Sequence, residues 1–195
     1  DVEVVERETC FRGFYQLDRL HLRHRLFAGG MGKLINRELF VRHDAVCVLP
    51  YDPQRDCVVL IELFRVGALD KSVNPWLIEL VAGLIDKDEQ PEEVARREAL
   101  EEAGLELAEL WPLTQYYPSP GGSDERVHLY VGRCDSLGAG GVHGLEEEGE
   151  DIRVLVWSLD EALAALDDGR IDNAASIIAL QWLALNRDKV RERWA

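Results

Sequence analysis

Glu98, Glu101 and Glu102 stand at i, i+3 and i+4 within residues 83–105, GLIDKDEQPEEVARREALEEAGL, a stretch with eight carboxylates and three basic residues. On a helix turning roughly 100° per residue, the three side chains fall on one face within reach of one another. Like charges at this spacing repel, and nothing adjacent in the sequence neutralises all three. Two readings are open. The triplet is a solvated helix face, as charge runs usually are, or it lacks a partner that a divalent cation would supply. Hard Mg²⁺ prefers carboxylate oxygens. Placed there, such a cation would relieve the repulsion.

The flanking residues are those a helix needs to hold the triplet. Pro91 suits a first helical turn, Glu92 and Glu93 suit the positive end of the dipole, and Gly104 suits a left-handed stop. Arg97 lies about 40° round the helix from Glu101, close enough for an ordinary ion pair. Upstream, AVCVLPY (45–51) and CVVLIELFRV (57–66) read as strands separated by the turn DPQRD. WLIELVAGLI (76–85) feeds the acidic helix, and LWPLTQYY, RVHLYVG and DIRVLVWSL supply three more strand candidates. Ser158 and Glu161 form a capping box for a helix over about 159–168, and a longer helix is expected from about Asn173 to Arg187. Its Ile177, Leu180 and Ala184 have core spacing. Strands alternating with helices imply an α/β chain with helices around a mixed sheet.

The 195 residues are 47% hydrophobic, enough for one large domain with a smaller appendage, and no apolar run is long enough to span a membrane. The net charge of −15 disfavours nucleic acid as a partner. The charge is uneven: residues 1–42 carry eight Lys and Arg against six Asp and Glu, so the remainder carries −17. In that segment HLRHR (21–25) and the glycine-rich FAGGMGK (27–33) suggest short strands joined at a hairpin. Its arginines either decorate an exposed sheet or serve a ligand. Cys10, Cys47, Cys57 and Cys134 have no CxxC spacing, which favours reduced thiols in a cytoplasmic protein. The start DVEVVERETC has no signal-peptide character.

The grammar of residues 83–105 is a resemblance in its own right. Gly83, five residues, Glu89, seven residues, Arg97-Glu98, apolar Ala99, any residue, Glu101-Glu102, any residue, Gly104 and Leu105 match the box of the Nudix hydrolase superfamily at every fixed position. The resemblance implies an α/β/α sandwich around a mixed sheet, Mg²⁺ as cofactor with Mn²⁺ possible, and cleavage of a nucleoside diphosphate linked to another moiety. It places Glu98, Glu101 and Glu102 on metal, with Glu89 and Arg97 bracing the box.

Pro120 stands sixteen residues beyond Gly104 in YYPSPGGSDER (116–126). A turn is expected there whatever the function, yet a proline at this distance resembles bacterial ADP-ribose pyrophosphatases. So do ELFRVG, PWLIELVAG, HGLEEEGEDIRV and IDNAASIIALQWL. This closer likeness implies several further assignments. The Ala82 carbonyl and Glu150 join the metal ligands, and Glu148 acts as catalytic base, with Glu147 or Glu150 as alternatives. Arg65, Ser119, Pro120, Gly121 and Glu125 contact ADP-ribose. Phe14 and Arg37 reach the adenine from the partner subunit of a homodimer. Residues 1–42 then form an antiparallel β domain for dimerisation, and residues 43–195 the catalytic domain. The alternatives are a Nudix hydrolase of another nucleoside diphosphate sugar, such as ADP-glucose or GDP-mannose, and a non-catalytic ADP-ribose sensor.

Overall fold

A computed structural model describes residues 1–71, 74–86, 88–145, 147 and 149–194. The chain divides into two compact units, Asp1–Asp44 with Tyr116–Arg126, and Ala45–Gln115 with Val127–Ala195.

The first unit is a three-stranded antiparallel sheet in the order β1 (Val2–Arg12), β2 (Gln16–His24), β3 (Ile35–Val41). The expected hairpin joins β2 to β3. An antiparallel sheet is what the resemblance implies for this segment, although the acids and bases of β1 obscure the alternation of its apolar residues. Many of those charges pair across the ladder: Arg23 donates to both oxygens of Glu3 at 2.8 and 2.9 Å, directly opposite it in register. Arg7 and Gln16 converge on buried Asp18. The segment around residues 119–123 joins this unit through Phe40, whose N–H donates to the Gly122 carbonyl at 2.7 Å.

The second unit is built on a mixed sheet. Its strands are β4 (Ala45–Asp52), β5 (Cys57–Phe64), β6 (Trp76–Glu79), β7 (Val81–Leu84), β8 (Leu110–Tyr116), β9 (Val127–Arg133), β10 (Gly141–His143) and β11 (Ile152–Ser158). The main path runs β10-β11-β5-β4-β9-β8, with β4 and β9 parallel. β4 pairs with β5 only at Tyr51 and Asp52 and with β7 at Ala45–Val48, while β6 pairs with the far half of β5. The run WLIELVAGLI is therefore two strands broken at Leu80, filling a fork where β4 and β5 diverge.

Helices α1 (Pro91–Ala103), α2 (Leu159–Asp167) and α3 (Ala174–Trp194) cover this sheet. Val46 and Val48 of β4 and Val59, Ile61 and Leu63 of β5 form one core with the Val94, Ala95, Ala99 and Ala103 side of α1. Alternation turns Tyr51 to the opposite face. There its hydroxyl donates to Asp56, which also accepts from Arg187 of α3. The result is an α/β/α sandwich. The expected capping box of Ser158 and Glu161 opens α2. Helix α3 runs seven residues beyond the expected Arg187, because Val190 and Trp194 are fully buried within an otherwise charged stretch. Trp194 meets Trp111 edge to face at 6.2 Å. No helix among the described residues is long and apolar enough to cross a membrane.

Candidate active site

The acidic triplet is held by a helix whose ends are both fixed locally. Gln90 and Glu93 form a reciprocal capping box, Pro91 occupies the first turn, and Gly104 ends the helix at φ 64°. Small Ala95, Ala99 and Ala103 recur every fourth residue and let α1 lie close on β4 and β7. Close approach draws the adjacent carboxylates inward. Glu102 is 3% exposed, and its carboxylate accepts the Ala82 N–H of β7 at 3.0 Å.

Burial, with Glu98 and Glu150 nearby, pushes the Glu102 carboxyl up to about 8. Burial also raises that of Glu98, against the pull of Arg97, and Glu101 and Glu150 add to the rise. Glu150 therefore reaches the field of the triplet from a segment 48 residues beyond Glu102 in sequence. Gly83 explains itself by the same crowding: a Cβ there would stand 2.0 Å from Glu98 Oε1.

Arg97 neutralises part of the triplet. Its guanidinium donates to Glu98 at 2.8 Å, to Glu101 at 3.1 Å and to both oxygens of Glu89 at 3.2 Å. Desolvation opposes the charge, but the carboxylates outweigh it and raise the Arg97 pKa. Arg97 thus spans the helix face and the Glu89 segment, and Glu102 is the triplet member it does not bond. Among the described residues no three His, Cys, Asp or Glu side chains converge as a ready-made metal cage. The donor chemistry nevertheless suits a hard divalent cation: oxygen ligands only, and a Glu102 carboxyl whose pKa burial and neighbouring Glu98 and Glu150 raise, more than Arg65 offsets.

Arg65 is on the same unit. Its Nε and Nη2 both donate to Glu79 Oε2, at 3.1 and 2.9 Å. Glu79 and Glu102 both act to hold it charged against desolvation. Glu79 had no assigned role, and the signal available was its being the one charge within WLIELVAGLI. Asn173 steadies this strand by donating to the Ile78 carbonyl at 2.7 Å while accepting the Ser176 N–H.

The first unit holds the other expected residues. Phe14 is 80% exposed and meets Tyr15 edge to face at 4.8 Å. Arg37 is exposed and donates to the Asn36 carbonyl. Ser119, Pro120 and Gly121 lie exposed in a turn closed by the Gly122 and Ser123 N–H groups on the Ser119 carbonyl. Glu125 is buried and engaged by Arg42 at 2.9 Å, and Tyr15 also accepts from Arg42. Burial raises the Glu125 pKa against the pull of Arg42. Glu148, the expected base, lies outside the described residues, as does Glu146.

A NUDIX domain is matched over residues 41–180, well over half of the chain. The chain belongs to the Nudix family. Its relatives include the ADP-ribose pyrophosphatase of Escherichia coli strain K12, 51% identical over all of this chain and 93% of that protein. The ADP-ribose pyrophosphatase of Haemophilus influenzae is 43% identical over all of this chain and 91% of its own. A GDP-mannose pyrophosphatase of Citrobacter koseri is 38% identical over 75% of this chain and 76% of its own. A solved structure described as an ADP compounds hydrolase shares the fold, with a TM-score of 0.71 at 23% identity and 94% of each chain covered. In this Nudix protein the box residues Gly83, Glu89, Arg97, Glu98, Glu101, Glu102 and Gly104 all have a visible physical reason for their type.

Proposed function

We propose that this Nudix protein hydrolyses ADP-ribose to AMP and ribose 5-phosphate with Mg²⁺ as cofactor, Mn²⁺ serving in its place. The observation that carries the reading is Glu102, 3% exposed and within the field of Glu98, Glu150 and Arg65, in an intact Nudix box. The full-length likeness to ADP-ribose pyrophosphatases supports the choice of substrate.

Glu98, Glu101, Glu102 and Glu150, with the Ala82 carbonyl, would hold Mg²⁺, which supplies charge neutralisation for a pyrophosphate and a more acidic water. Arg65, aimed by Glu79, adds fixed positive charge for phosphate oxygens. Glu148 accepts a proton from the attacking water as its oxygen bonds to the adenosyl phosphorus. The anhydride P–O bond then breaks toward ribose 5-phosphate. Little covalent chemistry is asked of the protein, since phosphoryl transfer depends on positioning and electrostatics. Glu148→Gln is expected to lower kcat by about 10²- to 10⁴-fold with KM little changed; Glu147→Gln and Glu150→Gln, assayed alongside, show whether the base is a neighbour.

The adenine contact is proposed to come from a partner subunit, with Phe14 stacking and Arg37 assisting. Edge strand β1 is exposed along its whole length, including Val2, Val4, Val5 and Phe11. A long edge with apolar side chains calls for cover, and a second copy in a homodimer would give it. Phe14→Ala is expected to raise KM for ADP-ribose about tenfold, equivalent to roughly 1.4 kcal/mol, with kcat within about twofold. Light scattering should give twice the chain mass. A cytoplasmic setting suits the thiols of Cys10, Cys57 and Cys134, none of which is in a disulfide.

A panel of ADP-ribose, ADP-glucose and GDP-mannose with Mg²⁺ tests the substrate. ADP-ribose should give the highest kcat/KM. GDP-mannose turning over faster would move the chain to the second kind of relative, and no turnover of any compound would reject hydrolysis.

A further inference from the structure

His143 lies outside the Nudix box, yet it touches the two parts of the protein that must stay in register for the box to work. It is the last residue of β10, paired antiparallel with Ile152 of β11. Its ring lies over Gly104, the left-handed residue that ends α1, so closely that a Cβ at Gly104 would be 2.9 Å from His143 Cε1. Its Nε2 is 2.9 Å from the Gly140 carbonyl. A carbonyl oxygen only accepts, so Nε2 must carry the proton. The ring is thereby held by a directional bond on one side and by helix backbone on the other.

The residues following His143 return directly to the carboxylates. The Glu150 N–H donates to the Leu145 carbonyl at 3.2 Å, and the Leu145 N–H donates to Glu150 Oε2 at 3.0 Å. Leu145 and Glu150 are thus joined by two bonds, and His143, two residues before Leu145, lies against the end of the helix that presents Glu98 and Glu102. The three atoms nearest the place a Gly104 Cβ would take all belong to this ring.

We propose that His143 is a positioning residue that holds Leu145 and Glu150 against the C-terminal end of α1, and so keeps Glu150 in register with Glu98 and Glu102. The kinetic consequence rests on the hydrolysis proposed above, whereas the structural consequence does not. His143→Ala removes ring and hydrogen bond together. His143→Asn keeps a donor without the ring, and His143→Phe keeps a ring without the donor.

The experiment compares the three variants with the wild type by amide hydrogen exchange followed by NMR and by ADP-ribose kinetics with Mg²⁺. In His143→Ala, exchange at Leu145 and Glu150 should quicken by about tenfold or more while Glu98–Ala103 amides keep their protection, since local opening is independent of the global fold. Its kcat should fall about 10- to 100-fold with KM within about threefold, as expected for a displaced reacting group. His143→Phe should recover part of both. Exchange at Leu145 and Glu150 equal to wild type in His143→Ala and His143→Asn would overturn the proposal. Uniformly faster exchange throughout α1 would also overturn it, by showing a general packing role. If the wild type cleaves none of the panel compounds, the hydrolysis reading fails and the exchange measurements still decide this one.

Discussion

Glu102→Gln is expected to abolish ADP-ribose hydrolysis while stabilising the metal-free protein. Both effects have one origin. Glu102 is 3% exposed, it bonds the Ala82 N–H, and its carboxyl is raised to about 8 by burial and by neighbouring Glu98 and Glu150. An unfolded chain releases that proton near the ordinary glutamate value of about 4.3. Between these two values the folded state binds the proton and the unfolded state does not. Stability of the metal-free protein therefore falls as pH rises from about 4.3 to about 8 and levels off above it, by a total on the order of a few kcal/mol. Glutamine mimics the protonated form and removes that slope. The variant should unfold at a higher temperature than the wild type at pH 8 in EDTA, and the difference should shrink toward pH 5. Saturating Mg²⁺ should raise the melting temperature of the wild type more than that of the variant, because ligand binding to the native state stabilises it. The rate with ADP-ribose should drop at least about 10²-fold, the scale of losing one charge-stabilising group. A wild-type rate would overturn the catalytic assignment; a wild-type pH dependence of stability would show that Glu102 is not the buried acid responsible.

Much of this site is legible in sequence because its determinants are local. Pro91, Glu92 and Glu93 at the start of α1 and Gly104 at φ 64° at its end are set within a turn of their own residues. Long-range partners were less readable. Arg97 could have paired with Glu101 only, and its simultaneous hold on Glu89 depends on where residues 85–90 run. The arrival of Glu150 beside Glu102, the aim of Arg65 toward Glu79 and the use of Glu125 by Arg42 are set by strand pairing, which no periodicity reports. The break at Leu80 has the same cause, since WLIELVAGLI is apolar throughout apart from Glu79 and only the divergence of β4 and β5 divides it.

Gly83→Ala should leave the fold intact and disable the site. Gly83 is a strand residue opposite Val46, where alanine is intrinsically favoured over glycine by about 0.5–1 kcal/mol. The obstacle is local: the new Cβ would stand 2.0 Å from Glu98 Oε1 and 2.4 Å from Glu98 Cγ. The strand cannot yield without breaking its ladder to β4, so the Glu98 side chain must swing out. That motion breaks its 2.8 Å bond to Arg97 and takes one carboxylate from beside Glu102. The melting temperature should stay within a few degrees, because Arg97 keeps its bonds to Glu89 and Glu101 and the displaced Glu98 carboxylate gains water in exchange for the bond it loses. kcat/KM for ADP-ribose should fall about 10²-fold, the effect of misplacing a catalytic group by an ångström or so. The cause is separable by a double-mutant cycle with Glu98→Ala. If Gly83→Ala acts only by displacing Glu98, adding it to Glu98→Ala should change the rate by less than about twofold, with the two losses strongly non-additive. Full additivity would mean that Gly83 serves the site by another route, through the Ala82 carbonyl or the approach of α1 to β7, and would overturn this account of the glycine.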